Sequence, residues 1–366
     1  MSFRGEAAII GIGELPTQRT TLGRSMPGLL GDAARLAIHD AHIKIEDVDG
    51  IITEGGDTYP AFVAEYLGLR VRFATGSSMM GASGATGVAL ASMAVMNGLA
   101  NYVLVCIAQA RNPALGGGGE GFPGHGSEFD FPYGPAAGAN NGYGQIYQRH
   151  MELYGTTQEQ LAHVASNQRF NAQGNPNAVF DGQPITHQDV LDSRYVNYPL
   201  RLLEVVMPCG GAAAVIVTTA ERAAASLNNP VYVLGGGIGL DDFGGLQKPE
   251  ITVSPVARSA PIAFNMSGYS PRDIQFAEFY DCYTILESMC LEDAGLVPKG
   301  EIGPFFESTD TTHKGEFPIN TDGGQLSAGQ PGLAGGFRHV VEAARQIMGK
   351  AGVRQIERND LGLVNG

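Results

Sequence analysis

Twice in this chain a run of small residues opens an apolar helix, and each helix is followed by a short apolar strand. The first run is Ala74 to Gly87, whose helix reaches Met96 before the strand Asn101 to Gln109. The second is Asn320 to Gly332, whose helix reaches Met348 before the strand Leu361 to Val364. The order is shared without a clear sequence repeat. It points to a layered α/β fold in which backbones approach closely, and Gly supplies 52 of the 366 residues, about twice its usual share. A small-residue run at a helix start either lets another backbone come close, at a dimer or half-to-half interface, or offers free N–H groups to a carboxylate, phosphate or oxyanion.

A chain of this length exceeds what one core usually supports, so two packed halves or a two-layer body with a large insertion are expected. The break at Asn228-Asn229-Pro230 marks the boundary: residues 1–228, including a loop region of about 111–210, then residues 229–366. Apolar residues make up 43% and charged residues 16%, which suits a compact interior. A net charge of −14 without any basic run excludes general nucleic-acid binding, because a phosphate backbone needs clustered Lys and Arg. The four cysteines (Cys106, Cys209, Cys282, Cys290) lack CxxC spacing and read as reduced thiols of a cytoplasmic protein, with no disulfide framework or zinc site. No signal peptide and no apolar run of about 18 residues is visible, so no membrane span is expected.

Glu6 to Ile12 reads as a strand, Leu29 to Ala41 as a helix and Val48 to Thr53 as a strand. Gly11 and Gly13 lack the third glycine of a dinucleotide fingerprint, with Pro16 in its place, and read as a turn. Arg111 to Tyr147 is rich in Gly, Pro and aromatics, as functional loops or flaps are. Asn141 to Tyr154 and Thr157 to Phe170 read as helices, the second opened by a Thr156/Glu159 capping box, with His150 and His163 as surface or packing residues. Strands are expected at Ala212 to Thr218, Val231 to Leu234 and Ile274 to Tyr280, and a helix at Thr284 to Ala294. The strand through Phe276 would present Tyr280 and Asp281 at its carboxyl end, the edge where layered α/β proteins bind ligands.

Several blocks occur in one order: Ala82-Ser83-Gly84; Tyr147-x-x-His150 through Leu161; Pro199 to Leu203; Gly211 to Val215; Tyr280-Asp281-Cys282-Tyr283-Thr284; and Asn320-x-x-Gly323-Gly324. Together they resemble the thiolase superfamily over nearly the whole chain, in its sterol-carrier-protein-X and lipid-transfer-protein branch. The likeness is greatest to the steroid side-chain aldolases that lack the thiolase cysteine. The resemblance implies a duplicated αβαβα layered fold, usually dimeric, with an inserted loop domain over an acyl-CoA site. Alignment on Ala82-Ser83-Gly84 puts Gly81 where thiolases carry their nucleophilic cysteine, and glycine cannot form a thioester. Tyr280 stands at the first catalytic histidine of the family, and Gln330, between Gly329 and Pro331, at the second.

That combination implies an acyl-CoA aldolase: retro-aldol cleavage of a bulky, steroid-like β-hydroxyacyl-CoA, with no covalent intermediate, no bound cofactor, and coenzyme A entering as part of the substrate. Tyr280 would be its base or its acid, although ionising a phenol of pKa about 10 at pH 7 costs roughly 4 kcal/mol. Gln330 donates but does not exchange protons, so a second acid/base group is expected from Asp281, Tyr283 or water. Cys282 reads as structural. Asn320 either orients a water or the Gln330 loop, or shapes a turn. Ser77, Ser78 and Ser83 are the substitute nucleophiles to weigh. Two other readings stand beside the aldolase: a thiolase-like acyltransferase with a non-standard nucleophile, and a non-catalytic acyl-CoA-binding subunit. The resemblance further implies a homodimer and a small zinc-ribbon, oligonucleotide-fold-like partner protein. It also leads one to expect a glycine turn and a closing strand after Val364-Asn365-Gly366.

Overall fold

The computed structural model describes residues 4–56, 58–112, 139–241 and 248–366. Strands β1 (Ala7–Glu14), β2 (Gly50–Thr53), β3 (Phe73–Gly76) and β4 (Tyr102–Gln109) precede a small hairpin, β5 (Tyr195–Asn197) and β6 (Leu200–Arg201). After β7 (Gly211–Thr219) and β8 (Val231–Val233) come β9 (Phe276–Glu278) and β10 (Gly362–Val364). A six-stranded sheet runs in the order β3-β2-β4-β7-β1-β8. It is parallel from β3 to β4 and antiparallel onward, and β8, beyond residue 228, joins the same sheet through β1. A second, parallel pair is β9-β10, extended at Ala277 by a bridge to Ile319.

Alternation along β1 assigns the layers. Ala7 and Ile9 face a core shared with helix α3 (Ser83–Met96) and the helix Ala334–Ile347, whereas Ala8 and Ile10 face α1 (Met26–Asp40). Beyond the two central helices lies β9, whose Phe276 packs on Ala343. Its neighbours Ala277 and Phe279 turn outward to the helices Val256–Ser267 and Thr284–Asp293. The result is the αβαβα arrangement of layers that the sequence led us to expect, with two helices buried between two sheets.

Glycine allows the central helices to cross. A Cβ at Gly84 would lie 2.5 Å from the Phe337 ring, and one at Gly336 would run into the Gly81 carbonyl. Gly11 and Gly13 lie inside β1, not in a turn, and press against α1: a Cβ at Gly11 would meet the Ala37 carbonyl at 2.5 Å.

Other local readings are corrected. The helix Gln158–Asn171 is capped one residue later than expected: Thr157 accepts from Gln160 N–H, and the Gln160 side chain accepts from Thr157 N–H. Thr156 instead binds His150, which is fully buried between it and Glu292, the packing one of the two roles expected for it. The helix expected after the glycine-rich run and reaching toward Met348 is Ala334–Ile347, and the run itself contains one further short helix, Gly324–Ala328. Gly329 and Gly332 adopt left-handed φ of 102° and 51° on either side of Gln330-Pro331, and neither geometry continues a helix. The segment 113–138, within the glycine-rich stretch, lies outside the described residues.

Candidate active site

Beyond β9, residues Phe279 to Tyr283 continue to the start of the helix Thr284–Asp293. Asn320 holds this exit in place. Fully buried and with a left-handed φ of 50°, it accepts from Phe279 N–H at 2.7 Å and donates to the Phe279 carbonyl at 2.9 Å. The same amide donates to Glu287 at 2.9 Å. Asn320 therefore acts as a backbone splint beside Tyr280, since both polar groups of one peptide strand end would otherwise be buried without partners.

The Tyr280 phenol points at Gly81 in the turn that opens α3. A Cβ built at Gly81 would lie 2.5 Å from Tyr280 Cζ and 2.8 Å from Oη, and closer still to Cε2. The space next to the Gly81 backbone is thus filled by the phenol. Gln330, delivered by the break between the two C-terminal helices, donates its Nε2 to the Tyr280 oxygen at 3.1 Å. Its own backbone is tied to Met207 and Cys209. Burial raises the Tyr280 pKa, with Cys282 and Asp281 adding to the rise and the Gln330 hydrogen bond opposing it, so the phenol is neutral at rest.

Asp281 faces the opposite way. Its carboxylate accepts from the backbone N–H of Gln325 and Leu326 at 2.7 and 3.0 Å, and lies 3.3 Å from His339 Nε2. Gly324, at φ 58°, must be glycine here, because a Cβ would fall 2.8 Å from the Asp281 Cγ. The carboxylate so holds the short helix Gly324–Ala328 and does not line the cavity. His339 was not singled out by its sequence context, a polar residue in an otherwise helical stretch. It is buried, its ring 6.5 Å from that of Tyr280, with Glu278 3.8 Å from its Nδ1.

Two of the three serines are occupied and the third faces solvent. Ser83 donates to the Met80 carbonyl and accepts from Met79 N–H, Ser77 donates to the Ser83 carbonyl, and Ser78 is exposed. Tyr283 donates to Asn140 at 2.6 Å and stacks on Tyr143. Cys282 is buried, and burial pushes its thiol pKa far up, so it is no thiolate; all four cysteines are free. A cavity of about 750 Å³ starts at Gly81, Tyr280 and Gln330 and extends past Tyr283 toward the gap between β10 and Val231 to Leu240. Among the described residues no helix is long and apolar enough to cross a membrane.

Residues 240–366 match the family model for the thiolase C-terminal domain. Over 94% of its length the chain is 31% identical to 92% of the 17-hydroxy-3-oxo-4-pregnene-20-carboxyl-CoA lyase of Mycobacterium tuberculosis. The chain belongs to the thiolase superfamily, in its lipid-transfer-protein branch. Within this family it is also 31% identical, over 94% of the chain and 91% of the relative, to a steroid side-chain-cleaving aldolase of Thermomonospora curvata. A solved Ltp2-ChsH2(DUF35) aldolase superposes with a TM-score of 0.87 over 96% of this chain and 92% of that one, at 31% identity. An acetyl-CoA acetyltransferase of Methanothermobacter thermautotrophicus is 36% identical, but over only 61% of this chain and 58% of that protein.

Proposed function

We propose that the protein is an aldolase that cleaves a bulky β-hydroxyacyl-CoA by retro-aldol reaction, a steroid-derived acyl chain being the first class to test. The observation that carries the reading is the phenol of Tyr280 lying in the space a side chain at Gly81 would need. An acid/base group stands where the wider family has its covalent one, and two relatives that are 31% identical over 94% of the chain carry the names of a lyase and an aldolase.

In this scheme Tyr280 first releases its phenolic proton to solvent, and the phenolate oxygen then takes the β-hydroxyl proton as the Cα–Cβ bond breaks. The bond's electron pair passes to the thioester enolate, a ketone leaves, and the proton is returned to Cα. Atoms and charge balance without a cofactor. Gln330 has two amide N–H groups; one serves the Tyr280 oxygen, and we assign the other to the enolate oxygen. Asn320 and Asp281 hold the frame, with Ser83 closing the Gly81 turn. The scheme includes division of the chain near residue 228, a homodimer in the cytoplasm, and a zinc-ribbon, oligonucleotide-fold-like partner, the last in line with the two-component aldolase among the similar structures.

The test is turnover of steroid-derived β-hydroxyacyl-CoA thioesters, followed as ketone release, by the protein with any co-purifying partner. Loss of ketone in Tyr280→Phe with an unchanged fold supports the reading; full activity in that variant ends it. The acetyltransferase match favours a second reading, acyl transfer through another nucleophile, for which mass spectrometry after incubation with acyl-CoA must show a covalent adduct. Binding of acyl-CoA without product in any partner combination would point instead to a non-catalytic subunit.

A further inference from the structure

Removing the proton from a buried phenol is opposed by any anion nearby, and the residue following Tyr280 is Asp281. Asp281 is buried, and its carboxylate cannot turn away because two backbone N–H groups hold it. The cation that faces it is His339, from the middle of the helix Ala334–Ile347, 3.3 Å away through Nε2. The same helix brings Gly336 against the Gly81 carbonyl, so His339, Gly81 and Tyr280 are placed by one packing contact.

We propose that His339 is a positioning residue for Tyr280: ion-paired to Asp281 beneath the phenol, it presents the ring with a balanced pair instead of a lone carboxylate. The inference rests on the aldolase reading for its kinetic consequence, but not for its electrostatic one.

Asp281 lies 3.3 Å from Nε2 and Glu278 3.8 Å from Nδ1, both on the β9 side. Glu287 and Asp322 lie on the next elements; burial raises the carboxyl pKa of Glu278, Glu287 and Asp322 and so weakens their charge, and the Gln325 amide nitrogen 3.2 Å from Nε2 opposes protonation, which leaves Asp281 as the principal counter-charge. Burial alone would lower the His339 pKa; the nearby carboxyl groups of Asp281 and Glu278 overcome this and raise it to about 10. His339 is therefore an imidazolium at neutral pH. Cys282 and Tyr283, which also face Tyr280, are neutral there because burial raises both. With an effective dielectric constant near 20, a unit charge at the observed 6.5 Å ring separation changes the phenol's ionisation constant by on the order of a hundredfold at most.

The decisive experiment replaces Tyr280 by a fluorinated tyrosine, whose lower intrinsic pKa brings the ionisation into range, and titrates it by fluorine NMR in the intact protein. In His339→Gln the ionisation should become tenfold or more harder, and in Asp281→Asn, which removes the anion, easier. On the aldolase substrate His339→Gln should lower kcat about tenfold with KM little changed, and should add nothing in a Tyr280→Phe background. An unmoved fluorotyrosine titration in both folded variants overturns the proposal. Movement of the titration in a protein that turns over no β-hydroxyacyl-CoA leaves the electrostatic role standing and removes the aldolase reading, so the two failures are distinguishable.

Discussion

Replacing Gly81 by alanine puts a methyl carbon into space that Tyr280 already fills. The added Cβ would lie 2.5 Å from Cζ and 2.8 Å from Oη, where ordinary contact begins at 3.4 Å. Gly81 is not among the glycines with left-handed φ, so its backbone accepts alanine and the whole conflict falls on the phenol. The ring must retreat by roughly 1 Å or more, and the 3.1 Å bond from Gln330 stretches beyond hydrogen-bonding range with it. Overpacking of this kind costs about 1–3 kcal/mol of stability, and a catalytic group misplaced by about 1 Å loses on the order of a hundredfold in rate. Chemical denaturation and steady-state ketone release measure the two losses. A double-mutant cycle separates them: adding Tyr280→Ala to Gly81→Ala should restore most of the lost stability and none of the activity. If Gly81→Ala retains full kcat, the phenol is not the reacting group and the proposed chemistry fails.

Tyr280→Phe should lower kcat by about 10²–10⁴-fold, with the melting temperature changed by only a few degrees, as circular dichroism will show. Asn320→Ala strips the Phe279 backbone of both side-chain partners and leaves the buried Glu287 with Gln168 as its remaining donor, and should cost about 2–5 kcal/mol in denaturant unfolding. Acid stability provides a further check. Burial resists the charge on Glu14, but Arg338 at 2.6 Å and Arg345 at 2.7 Å outweigh it and lower its pKa from 4.5 to about 2. A depressed carboxylate stabilises the fold above its unfolded pKa, so a contribution of about 3 kcal/mol should be lost as pH falls from about 4.5 toward 2. Glu14→Gln should unfold more easily at pH 7 and show a shallower loss over that interval, because it has no such proton to bind.

Much of the candidate site could be read before the fold was known. The absence of a side chain at residue 81, a tyrosine at 280 and an amide at 330 are facts of composition at aligned positions, and no packing changes what those groups can do chemically. Apolar periodicity and the glycines at the two helix starts pointed to a layered α/β fold, and the αβαβα order of its layers came from the resemblance to thiolases. Element ends were less legible: Thr156 and Thr157 are equivalent as letters, and Thr157 is the cap because Thr156 is taken by His150.

What the tertiary structure decided is which groups meet. Asp281 and Tyr280 are adjacent in sequence, yet one holds a helix end and the other lines a cavity, because neighbours near a strand end point to opposite sides. Gln330 reaches Tyr280 across fifty residues through a break made by two left-handed glycines, and His339 reaches Asp281 from another layer. Neither contact has a local signature, since a hydrogen bond between distant segments is set by how helices and sheets stack, while sequence pattern reports only on which face of an element a residue lies.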